Sequence, residues 1–155
     1  MVYSTIEKYG IKSLQIQELA KKMNNADSLN LIIVKSIIKE YGWLIGKIVG
    51  STGNSALFLV IQHSSKQDMQ YFLPIMRKAV LDSTASKQDL AKTEDRVAVD
   101  AGQKQMYGTQ ISIDEAGKYY VLPIGNPKEV DKRRAAMGMI PMKEYLSEWE
   151  IRWKE

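Results

Sequence analysis

Two Ser-x-x-Asp steps constrain the fold most, because each is followed by apolar residues at helical spacing. Ser65 stands three residues before Asp68, and Ser86 stands three residues before Asp89. A serine hydroxyl can accept an amide hydrogen of the first helical turn, and an acidic residue three positions later can bond back to the serine. Each step therefore predicts the start of a helix.

Pro74 lies inside the first of these two helices, which the apolar stripe extends to Val80. A proline removes the hydrogen bond from its own nitrogen, here to the carbonyl of Gln70, so the pattern predicts a bend without a break. The second helix is predicted to run to about Ala101, where Gly102 can close it.

Apolar residues three and four positions apart predict three more helices nearer the N-terminus. Asn24-Asn25 is expected to end the first, and Asp27 or Ser28 is expected to cap the second. The predicted spans are Lys12–Met23, from Asp27 or Ser28 to Tyr41 before Gly42, and from Ser51 or Thr52 to His63.

The spacing of the apolar residues is no longer that of a helix after Gly102. Residues Gln105–Ile113 and Lys118–Ile124 are rich in β-branched and aromatic side chains, and Asp114-Glu115-Ala116-Gly117 between them is typical of a turn. The pattern predicts a β-hairpin.

Two short helices are predicted after the hairpin. Asn126-Pro127 combines a cap with a proline at the first helical position, and the helix should extend to Met137. Pro141 is expected to start a last helix that carries Trp149 and Trp153. The fold class is thus α+β and mainly α: about six or seven helices pack with one small antiparallel β-hairpin in a single domain spanning residues 1–155.

Composition excludes several classes of function. The chain has no cysteine and one histidine, His63, so thiolate and multi-histidine metal sites are excluded and no metal or cofactor is predicted. Its apolar runs, such as Leu57–Ile61, are too short to span a bilayer. A net charge of +4 can attract a small anion but is too small to predict nucleic-acid binding. A cytoplasmic and an exported location fit this composition equally well.

Five short motifs occur in a recognisable order. They are Gln62-His63, Asp95-Arg96-Val97, Tyr107-Gly108-Thr109-Gln110, Pro123-Ile124, and Val130-Asp131-Lys132-Arg133-Arg134. As an ordered set they resemble an uncharacterised bacterial family, a domain of unknown function, over roughly residues 27–145. The resemblance implies no established activity. It implies a set of functional residues: His63, Asp95, Arg96, Tyr107, Gln110, Asp131, Arg133 and Arg134.

The chain departs from that family in two places. Similar members have an Asp-Gln pair before the first helix, which is absent here, and a proline where this chain has Leu44 after Gly42-Trp43. The missing pair predicts a truncation at the N-terminus.

His63 follows Leu59 and Val60 by four and three residues, so it is predicted to share their inward stripe at a helix C-terminus. There it would be a general acid or base, and a carboxylate such as Asp95 or Asp131 would fix its tautomer. The alternative is a half-buried histidine that caps carbonyl groups.

The arginines offer similar alternatives. Asp95 and Arg96 are neighbours in a predicted helix, so only one of them is expected to face inward. Arg96 would bind a phosphate or carboxylate through its planar guanidinium, or pair with an acidic residue on another helix. Arg133 and Arg134 would form the other wall of an anion site, or a solvated charged face.

Tyr107-Gly108-Thr109-Gln110 is unusual for a strand, because glycine weakens strands and permits close approach of a ligand. Strand alternation would place Tyr107 and Thr109 on one face and Gln110 on the other. The alternative is a bulged hairpin that packs Tyr107 against the helices.

Three functions stay open on the sequence alone. The first is an enzyme, a hydrolase or lyase, with His63, Asp95 and Tyr107 as catalytic residues. The second is a binding domain for a small anionic ligand, held by Arg96, Gln110, Asp131, Arg133 and Arg134. The third is a protein-protein interaction module in which the same polar network is purely structural. Binding of a small anionic ligand is the function we expect.

Overall fold

The computed structural model describes residues 2–10, 12–43 and 46–153. Within these ranges the chain is mainly helical with one two-stranded antiparallel sheet, which confirms the predicted α+β class. The elements are α1 (Val2–Tyr9), α2 (Leu14–Tyr41), α3 (Gly46–Gln62), α4 (Lys66–Leu81), α5 (Lys87–Asp100), β1 (Ile111–Ile113), β2 (Tyr119–Val121), a 3-10 helix (Pro127–Glu129), α6 (Val130–Ala136) and α7 (Met142–Ser147).

The long helix α2 corrects the sequence prediction, because it continues through Asn24-Asn25 to Tyr41. Ser28 does not cap a new helix; its hydroxyl donates to the Asn24 carbonyl oxygen one turn earlier, at 2.8 Å. Asparagine disfavours a helix by only about 0.7 kcal/mol, and no glycine or proline interrupts the backbone hydrogen bonds here. The helix therefore continues.

Helix α3 starts earlier than predicted, at Gly46, and its helical dihedrals are interrupted at Gly50, where φ is 71°. The predicted start at Ser51 or Thr52 corresponds to the point where the helix resumes. Leu44, at which the chain departs from the resembled family, lies outside the described residues.

The caps of α4 and α5 are confirmed. Ser65 Oγ accepts from the Asp68 amide at 3.1 Å and donates to the Asp68 carboxylate at 2.7 Å, while Ser86 Oγ accepts from the Asp89 amide at 3.2 Å. Helix α4 runs through Pro74 without a break.

The hairpin is confirmed but its strands are shorter than predicted. Ile111 pairs with Val121 and Ile113 with Tyr119, and the chain turns over residues 114–117. Residues 106–110, predicted to be strand, form a loop that we call the 106–110 loop. The prediction failed because the amides of Met106, Tyr107 and Thr109 donate to Asp95 of α5 and not to a neighbouring strand.

The C-terminal helices also differ in detail. Asn126 has φ of 45° and forms no side-chain cap, so the predicted cap is wrong, although Pro127 does begin the 3-10 helix. Helix α7 ends at Ser147, so Trp149 and Trp153 lie beyond it.

The buried apolar side chains form two clusters. One joins α2, α3, α4 and α5 around Phe72, Met76 and Ile61, and the other joins the hairpin, α6 and α7 around Met142 and Leu146. Among the described residues, no helix is both long enough and apolar enough to cross a membrane. The site described next lies where the two clusters meet, along α5.

Candidate functional site

The buried carboxylate of Asp95, in the middle of α5, organises the 106–110 loop. Oδ1 accepts from the amides of Met106 at 2.6 Å and Tyr107 at 3.0 Å. Oδ2 accepts from the Thr109 amide and the Thr109 hydroxyl, both at 2.9 Å. Charge-assisted bonds of this kind are roughly twice as strong as neutral ones. Asp95 thus holds the loop against α5.

Gly108 allows the 106–110 loop to lie close to the apolar cluster that joins the hairpin, α6 and α7. Its φ is +71°, and a Cβ built there would lie 2.6 Å from Met142 Sδ and 2.8 Å from Ile124 Cδ1. Any side chain would meet atoms that are themselves buried. The glycine of the Tyr-Gly-Thr-Gln motif is therefore required by packing.

Arg134 is almost completely buried and is bound to backbone oxygens. Its Nη1 donates to the carbonyl of Tyr107 and its Nε to the carbonyl of Ile140, both at 2.6 Å. The guanidinium also lies 4.7 Å from the ring centroid of Tyr145. Burial lowers the pKa of this arginine from its usual value. The side chain joins α6 to the 106–110 loop.

Arg133 and Asp131 make contacts of the same kind. Arg133 donates from Nε to the Met106 carbonyl at 2.7 Å and from Nη2 to the Gly125 carbonyl at 2.6 Å. Asp131 Oδ1 accepts from the amide of Met142 at the start of α7, at 2.7 Å. Together with Asp95 and Arg134, these residues bind backbone groups, so their strongest donors and acceptors already have partners inside the protein.

Gln105 completes this network and was not predicted. It is fully buried, its Nε2 donates to the carbonyls of Gln110 and Leu122, and its Oε1 accepts from the Gln110 amide at 2.8 Å. Glutamine is usually a surface residue, so nothing local in the sequence marks it.

His63 does not occupy the predicted inward position. The residue is exposed just beyond the end of α3, as is Leu59, and its side chain forms no hydrogen bond or ion pair with any residue that the structure describes. The inward stripe of α3 instead includes Leu57, Phe58 and Ile61. Of the predicted stripe of Leu59, Val60 and His63, only Val60 packs against the core, so the buried face of α3 is rotated from the predicted one.

His63 nevertheless lies beside the stretch of α5 that carries Arg96. Before it, Gln62 Oε1 accepts from the Thr93 hydroxyl at 3.4 Å; after it, Lys66 Nζ donates to the Asp100 carbonyl at 3.2 Å. These contacts place the turn between α3 and α4 along residues 93–100.

Arg96 itself is exposed, whereas its neighbour Asp95 faces inward. The Arg96 guanidinium donates to Gln110 Oε1 at 3.3 Å and lies 3.9 Å from Asp100. Arg96 and Gln110 are thus brought together, on the side of α5 that faces the end of α3.

Tyr107 lies on another side of α5, with Glu94 and Arg77. Its hydroxyl donates to Glu94 Oε2 at 3.1 Å, and Glu94 Oε1 accepts from Arg77 Nε at 2.8 Å. Positions 94 and 96 of a helix point about 200° apart, since each residue turns the helix by about 100°. The predicted catalytic residues Tyr107 and His63 are therefore not gathered into one pocket.

The side of α5 that carries Glu94 borders a pocket, which we call the α4–α5–α6 cleft. Its volume is about 370 Å³. Four of its lining residues are polar or charged, and the others provide an apolar wall. The lining residues are Arg77, Val80, Leu81, Lys87, Leu90, Glu94, Tyr107, Ala136 and Met137.

The charges of this cleft favour an anion. Arg77 and Lys87 are cationic, and the one carboxylate, Glu94, already accepts from Arg77 and Tyr107. Burial, with the adjacent Glu94 carboxylate, raises the pKa of Tyr107 to about 12, so its phenol stays protonated at neutral pH. Sequence reasoning missed Arg77 and Glu94, because they lie 17 residues apart and only the packing of α4 on α5 joins them.

The described residues contain no group of three or more His, Asp or Glu side chains placed to hold a metal ion. Comparison with curated proteins and with solved structures gives no match. A family model does match, over residues 6–153, and it is described as a family of unknown function. With nearly the whole chain matched, the protein belongs to this family of unknown function, DUF6624.

Proposed function

We propose that the protein binds a small carboxylate ligand with an apolar body, in the α4–α5–α6 cleft. The observation that carries the proposal is the position of Arg77 at the edge of an apolar pocket. Its bond to Glu94 uses only Nε, and its two terminal nitrogens form no hydrogen bond with the described residues. A planar guanidinium edge suits a carboxylate, which accepts two parallel hydrogen bonds.

The apolar wall defines the rest of the ligand. Leu90 is buried beneath the cleft, while Leu81 is 84 % exposed at its rim and would lose water contact on binding. A pocket of about 370 Å³ lies near the lower end of the range for small-molecule sites. A short aliphatic or monocyclic carboxylate therefore fits better than a nucleotide.

Recognition fits the cleft better than turnover. A general base needs a pKa near the working pH, whereas the pKa of the Tyr107 phenol is about 12. Glu94 already accepts one hydrogen bond at each carboxylate oxygen, from Arg77 and from Tyr107. The cleft thus offers fixed donors and an apolar surface.

Hexanoate is a suitable probe, with hexylammonium as its charge-reversed control. In thermal unfolding, hexanoate at about ten times its Kd should stabilise the fold by about 1.4 kcal/mol, which raises Tm by roughly 3–5 °C. Hexylammonium and inorganic phosphate should have no such effect, because the first lacks the carboxylate and the second lacks the apolar body.

Arg77→Gln should raise the Kd for hexanoate about tenfold, the usual consequence of losing one partly exposed charge-assisted contact. Lys78→Gln is a matched control: it removes the same charge from the next residue of α4, which binds Asp82 outside the cleft. Equal effects of the two substitutions, or stabilisation by hexylammonium, would contradict the proposal.

Catalysis by His63 stays a prediction with one observation in its favour, its position along the same stretch of α5 as Arg96. For Asp95, Asp131, Arg133 and Arg134 we propose a structural role, since each binds backbone groups of the 106–110 loop or its neighbours.

A further inference from the structure

Five large aliphatic side chains are exposed on α2 and α3, in the part of the fold where these two helices lie side by side. Leu29, Ile32 and Ile33 are 64 %, 65 % and 58 % exposed, and they follow one another at the spacing of a single helix face. On α3, Ile48 and Leu59 are at least half exposed. Large apolar side chains exposed beside an apolar groove commonly mark an interaction site.

This surface has a ridge and a groove side by side. Leu29 and Ile32 form the ridge on α2. The groove has a volume of about 370 Å³, and of its nine lining residues only Asn30 is polar. The groove lies between the two helices and is lined by Asn30, Ile33, Val34, Ile37, Val49, Gly53, Ala56, Leu57 and Val60.

We propose that a second copy of this chain covers the surface in a two-fold dimer, with the α2 ridge of each copy in the α2–α3 groove of the other. A two-fold interface uses the same surface on both partners, so that surface must be complementary to itself. An adjacent ridge and groove satisfy this requirement, whereas a groove alone would call for a different partner.

The exposed area matches what a stable dimer needs. Five large aliphatic side chains expose on the order of 100 Å² each, or about 500 Å² of apolar surface per copy. Homodimer interfaces are about 65 % apolar, so this corresponds to roughly 800 Å² in total per partner, the standard size of a specific interface. None of the described residues that line the groove is charged.

Sedimentation equilibrium of the full chain from about 1 to 200 μM tests the proposal. We expect a reversible monomer–dimer equilibrium with no larger species. Ile32→Glu should raise the dimer Kd at least about tenfold, because the two-fold axis introduces two buried carboxylates at once.

Leu14→Glu is the matched control. Leu14 is 73 % exposed, and it lies on the same face of α2 as Ile32 but 18 residues away, or about 27 Å along the helix. This variant should dimerise like the native chain, and circular dichroism should show both variants folded, since both positions face solvent.

Three results would overturn the proposal. The first is a chain that stays monomeric at every concentration, which would mean that a different partner covers the surface. The second is the formation of species larger than a dimer, which would indicate a head-to-tail contact between copies. Equal weakening by Ile32→Glu and Leu14→Glu would place the contact outside the groove.

Discussion

Replacing Asp95 by asparagine changes one oxygen of a fully buried carboxylate into an amide group that cannot accept hydrogen bonds. The best rotamer keeps Oδ1 for Met106 and Tyr107 and turns the new NH₂ toward Thr109. The Thr109 hydroxyl can rotate to accept, but the Thr109 amide loses its acceptor. An unpaired buried amide costs about 1–3 kcal/mol, and the lost charge weakens each remaining bond by about 1 kcal/mol.

The expected loss is therefore about 3–5 kcal/mol in the free energy of unfolding, a large part of the roughly 5–15 kcal/mol typical of a domain. Urea unfolding followed by circular dichroism measures it, and amide hydrogen exchange at Thr109 locates it. Asp114→Asn is the matched control, since Asp114 also accepts from two backbone amides, of Ala116 and Lys118, but at an exposed turn. A cost of Asp95→Asn no greater than that of Asp114→Asn would refute the reasoning.

Three further predictions concern the same loop. Gly108→Ala should destabilise the fold by roughly 2–4 kcal/mol in urea unfolding, because the alanine would have a positive φ and its Cβ would overlap buried side chains. Gly117→Ala is the control: Gly117 also has a positive φ but has open space around it, so this substitution should cost about 1–2 kcal/mol. Equal costs would show that the close contact at Gly108 is absent. The pKa of Tyr107 is about 12, above its usual 10.0, so the neutral phenol stabilises the folded state below pH 10 and this stabilisation is lost as the pH rises toward 12. Glu94→Gln should lower the pKa of Tyr107, which an ultraviolet titration measures. Arg134→Met should destabilise by about 3–5 kcal/mol, because two buried carbonyls lose their donor, and a change under 1 kcal/mol would contradict the assigned role.

Local signals predicted the starts of α4 and α5 correctly. The Ser65 and Ser86 caps depend on residues three positions away, and a sequence shows that spacing directly. Asn24-Asn25 was misread as an end, because a weak local preference does not break a helix whose backbone bonds continue on both sides.

The candidate site was predicted only in part, because the residues that contact one another there are far apart in the sequence. Asp95 was marked by its motif, yet its partners lie 11 to 14 residues away in a loop whose path depends on Gly108. The sequence did not mark Arg77 as a site residue, because only the packing of α4 on α5 brings its side chain to Glu94. The orientation of His63 was wrong because a stripe of three apolar positions does not fix which face of a helix is buried.

A nuclear magnetic resonance titration of the isotope-labelled chain with hexanoate tests ligand binding in the cleft most directly. We predict saturable shifts at the Arg77 Nε–H, the Tyr107 ring, the Leu90 methyl groups and the Met137 methyl group, and none at the His63 ring. Shifts confined to His63 and Arg96, or no saturable shift up to about 50 mM hexanoate, which corresponds to less than about 2 kcal/mol of binding free energy, would contradict the account.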